Sequence, residues 1–129
     1  MTLTRFLLVG LAGAIGTWLR YLVGLGAMRV AGAGFPYGTL IVNLVGCFLI
    51  AAVVQTALTT TFVSTTVNLT LTTGFLGGLT TYSSFNLQTT QLLQSRAWAA
   101  AVTNFGVTVG GCFLAGLLGV VVAKRVFGG

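Results

Sequence analysis

The chain has 129 residues, 56% of them hydrophobic and 5% charged, with a mean hydropathy of +1.04. All six charges are Lys or Arg, and there is no Asp, Glu or His. That composition removes carboxylate or imidazole acid–base catalysis, Ser/His/Asp sets and carboxylate or His metal centres, so the chain does not read as an enzyme. The buried acid or His relay of a proton-driven pump is absent as well.

An apolar chain of this length accommodates four membrane spans of about 20 residues, as one transmembrane domain over residues 1–129 with no soluble part. The cations are scattered singly without an aromatic-rich basic patch, which argues against nucleic acid as a partner. They read as anchors at the surface of a lipid bilayer.

The first span is expected from about Thr4 to Leu25. Arg5 and the apolar run after it resemble a signal peptide, but the run reaches about Val23 without a small-x-small exit, so it reads as an uncleaved span. Gly10, Gly13 and Gly16 within it suit close helix packing. The second span runs from about Tyr37 to Leu58, and Phe35-Pro36 marks its start. A polar, uncharged loop follows at about Thr59 to Thr66. The third region, Thr65 to Leu93, is too long and too polar for one ordinary span. Its run Gly74-Phe75-Leu76-Gly77-Gly78-Leu79-Thr80-Thr81 predicts a helix broken in mid-membrane at Gly77-Gly78. The fourth span covers about Ala97 to Val122. Cys47 and Cys112 fall inside apolar segments, where a thiol is usually a small packing residue; no disulfide is expected.

With four spans, Arg5, Lys124 and Arg125 lie on one side and Arg20, Arg29 and Arg96 on the other. This balance gives the positive-inside rule no orientation to choose. A small chain with more polar groups than one copy can enclose is then expected to insert both ways and pair antiparallel.

Carbonyls freed by a mid-membrane break must line a cavity, meet protein or hold an ion. Without a carboxylate, such a site suits a singly charged hard cation such as Na⁺ better than Ca²⁺ or Mg²⁺; a plain glycine kink is the alternative. Beyond the break, Tyr82 and Phe85 are three apart and share a helical face. Thr81, Ser84 and Gln88 form a polar row beside them. Thr39 and Asn43 in the second span, and Asn104, Thr108 and Cys112 in the fourth, recur every four residues. These rows are either interhelical glue or the lining of a wet path. Asn, Thr and Ser donors can replace water around an anion, and aromatic edges can face it. A cation pore would carry acidic rings, whereas a water or polyol pore stays open at this point.

Three stretches carry a resemblance to a known family: Gly-Ala-Ile-Gly-Thr-Trp-Leu-Arg at 13–20, Tyr-Gly-Thr-Leu-Ile-Val-Asn-Leu-Val-Gly at 37–46, and Thr-Gly-Phe-Leu-Gly-Gly-Leu-Thr-Thr-Tyr-Ser-Ser-Phe at 73–85. The chain resembles the Fluc fluoride channels, also called camphor-resistance proteins, over nearly its whole length. The resemblance implies an all-α, four-span subunit of an antiparallel, dual-topology homodimer in the inner membrane of a prokaryote. It implies two fluoride pores per dimer, passive fluoride export from the cytoplasm, and a structural sodium ion on the two-fold axis. Main-chain carbonyls of Gly77 and Thr80 would hold that sodium. Asn43 matches the family's fluoride-donating asparagine, and Tyr82 and Phe85 match its paired phenylalanines. Thr81, Ser83, Ser84 and Gln88 fall along the same polar track. Thr108 and Cys112 match the polar row of the fourth helix. Arg20 matches an arginine expected to snorkel to the interface and attract anions. The chain departs from the pattern with Tyr82 for phenylalanine, Gln88 for a frequent glutamate, and Asn104 for an aromatic hydroxyl.

A small four-span multidrug exporter shares the size and dual topology but needs a membrane-embedded glutamate. A non-transporting assembly subunit, or an obligate partner in a heterodimer, are the other rivals.

Overall fold

The computed structural model describes residues 1–128. The chain forms α1 (Leu3–Ala31), α2 (Tyr37–Thr59), α3 (Thr65–Leu69), a π-helical stretch (Thr70–Leu76), α4 (Gly77–Leu79), α5 (Tyr82–Gln94) and α6 (Trp98–Phe127). No strand occurs among the described residues. Helices α1, α2 and α6 are long and apolar enough to cross a membrane. They are hydrophobic nearly all round, and large residues such as Leu11, Trp18, Phe113 and Leu114 remain exposed, as lipid-facing or partner-facing helices require.

Helix α2 touches every other element, whereas α1 and α6 do not meet. Register fixes the directions. Along the α2–α6 seam, Leu44 faces Gly111, Cys47 faces Gly116 and Phe48 faces Gly119. Both numbers rise together, so the two helices run parallel. The chain between them therefore returns along the bundle. Val9 and Ala12 meet Gly74, Gly13 meets Gly78, and Gly16 meets Phe75 and Leu79, so α1 runs parallel to the first half of the returning segment. At the turn from α1 to α2, Gly38 packs on Gly24. The order is up-down-up-down, with both termini at one end. There Arg5 Nε donates to Thr66 Oγ1 at 2.9 Å.

The first and last spans are longer than the sequence reading placed them. Helix α1 continues through Gly24 and Gly26 to Ala31, and stops where Gly32 takes φ 78° and returns its amide to the Met28 carbonyl, a left-handed ending that suits glycine. Helix α6 runs on to Phe127, with Lys124 and Arg125 in its last turn, where cations complement the carbonyl end.

The position of the break also differs. Gly77 and Gly78 are helical, and the chain becomes extended at Thr80 (ψ 155°) and Thr81 (φ −155°). Upstream, the Thr70 and Thr72 hydroxyls donate to the carbonyls of Thr66 and Asn68. Such back-bonding competes with the helix ladder, and the Gly77 amide reaches the Thr72 carbonyl five residues back, as in a π-helix. The glycines here serve packing. A Cβ at Gly78 would run into the Gly13 carbonyl, and one at Gly16 into the Phe75 carbonyl. Gly13 and Gly16 thus play the packing part read for them, but Gly10 faces open space.

Candidate functional site

The break is held from outside by Asn43. Its Oδ1 accepts from the Thr81 amide at 2.8 Å, and its Nδ2 donates to the Thr81 carbonyl at 3.1 Å. The backbone amide can meet only an acceptor, so the side-chain oxygen is assigned unambiguously. One Nδ2 hydrogen remains unspent by the clamp. Asn43 is 7% exposed, and Val42 beside it packs with Leu76 and Leu79 in the bundle's core.

Diverting the Thr81 amide has a direct consequence. In a continuous helix it would donate to the Gly77 carbonyl. Likewise the Ser84 amide donates to Thr81 Oγ1 at 3.2 Å, where helical continuity would have sent it to the Thr80 carbonyl. Gly77 and Thr80 therefore lose their helical donors, and Gly77 is exposed on the outer surface of the bundle. The Gly78 carbonyl is satisfied differently, because Arg20 Nε donates to it at 3.0 Å. Arg20 was expected to snorkel to the interface; instead it turns to the break, where an orphan carbonyl needs a donor.

Two cavities flank this arrangement. One, of about 250 Å³, is lined by Asn43, Cys47, Tyr82, Phe85, Thr108, Val109 and Cys112. The other, of about 430 Å³, includes Arg20, Thr39, Thr81 and Ser84 in its lining. The expected pore residues thus separate into two groups joined through the Asn43–Thr81 clamp. Ser83 is exposed, with its hydroxyl 3.3 Å from that of Thr81. Gln88 lies apart, in a third cavity with Gln91 and Ser95 near the α1–α2 turn, and its buried Oε1 has no partner.

Aromatic rings close the first cavity. Tyr82 and Phe85 meet edge to face with centroids 5.7 Å apart, and Phe85 also packs on Phe105 at 6.1 Å. Phe85 is 3% exposed but Tyr82 is 77% exposed, so the pair shares a face while only one ring is enclosed by this chain. A chain of hydrogen bonds stands behind Phe85. Thr108 Oγ1 donates to Asn104 Oδ1 at 3.4 Å, Asn104 Nδ2 to Thr89 Oγ1 at 2.9 Å, and Thr89 Oγ1 to the Phe85 carbonyl at 2.7 Å.

Sequence reading passed over Thr89 and treated Cys47 as packing only. Both were legible by spacing, since Cys47 follows Asn43 and Thr89 follows Phe85 by one helical interval of four.

The geometry sets opposite polarities side by side. Freed carbonyls end the first half of the broken helix and favour a cation, while the first-turn amides of α5 favour an anion. No acidic group exists anywhere in the chain to oppose the latter.

Comparison with known proteins identifies the family. A family model described as CrcB-like protein, Camphor Resistance, matches residues 7–120. A protein of Sorangium cellulosum named fluoride-specific ion channel FluC is 47% identical over 125 residues, covering 97% of this chain and 98% of that protein. Proteins of the same name from Caulobacter vibrioides (44% over 126 residues, 97% and 99% covered) and Geobacter sulfurreducens (39% over 124 residues, 96% and 100% covered) are similar throughout. Sequence motif, helical architecture and these matches together place the chain in the CrcB-like, camphor-resistance family of ion channels, whose members are not enzymes.

Proposed function

We propose that the chain is a passive, fluoride-selective channel that lets fluoride leave the cytoplasm of a prokaryote across its inner membrane. The observation that carries this reading is the cavity where the spare amide hydrogen of Asn43, the Thr108 hydroxyl and the ring of Phe85 converge. Fluoride is small and strongly hydrated, so a narrow path must replace its water with donors. Asn43 supplies such a donor, Thr108 can add one when its hydroxyl turns from Asn104 Oδ1, and ring edges add a weak positive field. Arg20, in the neighbouring cavity, raises the local anion concentration. Hydrogen fluoride enters cells uncharged and ionises inside; an inside-negative potential then drives the anion out at about 2.3 kcal/mol per 100 mV, with no need for ATP or a proton carboxylate.

In this reading the broken helix is the third of four crossings, and two copies pair antiparallel with two pores per dimer. The balanced charges support that pairing, as do the exposed Gly77 and Tyr82, which one copy leaves uncovered. A structural sodium ion fits the same arrangement. The Gly77 and Thr80 carbonyls have lost their helical donors to Asn43 and Thr81, and neutral oxygens without a carboxylate suit a monovalent hard cation. These two carbonyls from each copy would hold it, and its charge would offset the converging carbonyl dipoles.

Reconstitution into liposomes loaded with potassium fluoride, with valinomycin added and external fluoride read by electrode, tests the function. Fast fluoride release with chloride retained in a parallel preparation is expected. No fluoride release from a well-folded dimer would contradict the reading.

A further inference from the structure

The two cysteines do not lie apart as packing residues. Both line the cavity that also holds Asn43, Phe85 and Thr108. Cys47 comes from α2 and Cys112 from α6, and both are free and half-buried. Their proximity follows from the parallel seam. The backbone of Cys47 faces Gly116, 3.8 Å from where its Cβ would stand, and Cys112 lies one turn before Gly116 on the same face. The two cysteines thus face one cavity from opposite sides of that seam.

We propose that Cys47 and Cys112 form a two-thiolate site for a soft, thiophilic cation such as Cu(I), Ag(I) or Hg(II), and that filling it closes the candidate conduction cavity. Soft thiolates select such ions. Zinc is disfavoured, because a closed site needs four ligands and the whole chain contains no other Cys, no His and no acid. The same scarcity fixes the stoichiometry at one cation per chain. Binding mercuric ion breaks two S–H bonds, forms two Hg–S bonds and releases two protons to water, with no change in oxidation state. The bound ion stands among the groups assigned to fluoride and excludes it sterically. The blocking half of the proposal rests on the fluoride reading; the binding half does not.

The test titrates the reconstituted full-length protein with mercuric chloride. Thiolate–mercury absorbance gives binding, and fluoride efflux is normalised to each variant's own rate before mercury. The wild type is expected to bind one mercury per chain and to lose efflux in step, with recovery on adding dithiothreitol. Each of Cys47→Ser and Cys112→Ser should need about 100-fold more mercury for half-block, because the second thiolate acts at high effective concentration. Two mercury ions per chain, or single variants as sensitive as the wild type, would overturn the shared site. Robust efflux unaffected by a bound mercury would overturn its placement in the path. One mercury held by both thiols in a chain that never conducts fluoride would support the site and contradict the channel reading.

Discussion

Two seams hold this bundle together, and they are built from opposite materials. Where α1 meets the first half of the broken helix, backbone lies against backbone: Gly13, Gly16, Gly74 and Gly78 leave no room for a Cβ or only just enough. Where α2, α5 and α6 converge beside the break, side chains with hydroxyl, amide, thiol and aromatic groups line a cavity, and α2 and α6 return to close glycine packing only further on, at Gly119 against the Phe48 carbonyl. Inside a membrane neither seam gains from excluding water. The first gains from dispersion at short range, and the second from hydrogen bonds that lipid cannot offer. A shared strategy would have produced either a solid bundle with no path or a wet one with no rigid frame. The break at Thr80–Thr81 lies at the junction, and Asn43 fastens it to the second seam from within the tightly packed α2.

Substitution can break this contrast at either seam. The largest effect is expected at Gly16→Val, which drives a branched side chain into the Phe75 carbonyl and the Leu79 amide. Backbone cannot yield as a side chain can, so a loss of about 3 kcal/mol or more is expected, read as failure to give a monodisperse species on size-exclusion chromatography. Asn43→Leu comes next. It keeps the volume but strands the Thr81 amide and carbonyl, at about 2–3 kcal/mol, and should lower fluoride efflux about 100-fold while some folded protein survives. Thermal unfolding and efflux on one preparation would check both.

Phe85→Ile is smaller. The ring touches Tyr82 and Phe105, and losing those contacts should cost about 1 kcal/mol, with efflux reduced about tenfold and elution from a sizing column unchanged. Gly10→Ala sharpens the comparison from the other side. It adds a methyl to the same helix as Gly16 where nothing lies within 4 Å, and its unfolding temperature and efflux should match the wild type, within about 0.5 kcal/mol.

Much of this was legible in the residues. Hydropathy placed three spans, and Phe35-Pro36 marked the start of α2 to within a residue. The polar, glycine-rich run signalled an interrupted helix, yet its location was misjudged. Glycine weakens a helix in isolation, but in this seam Gly78 is held helical by contact with Gly13, and that neighbour lies far away in sequence. What breaks the chain instead is competition for the Thr81 amide by Asn43, a residue 38 positions earlier. The direction taken by Arg20 was hidden for the same reason, because the carbonyl that attracts it exists only once the break has formed. Thr89, joined to Asn104 across the α5–α6 turn, shows that a spacing rule finds a face without saying what the face meets.

The most direct measurement is a bi-ionic one. Purified protein would be placed in a planar bilayer with fluoride on one side and chloride on the other, and the reversal potential recorded. A reversal potential displaced far from zero, with the sign of fluoride permeating and chloride excluded, is predicted, because only fluoride should gain enough from the Asn43 donor and the groups around it to give up its water. Current reversing near zero, with both halides passing alike, would contradict the account.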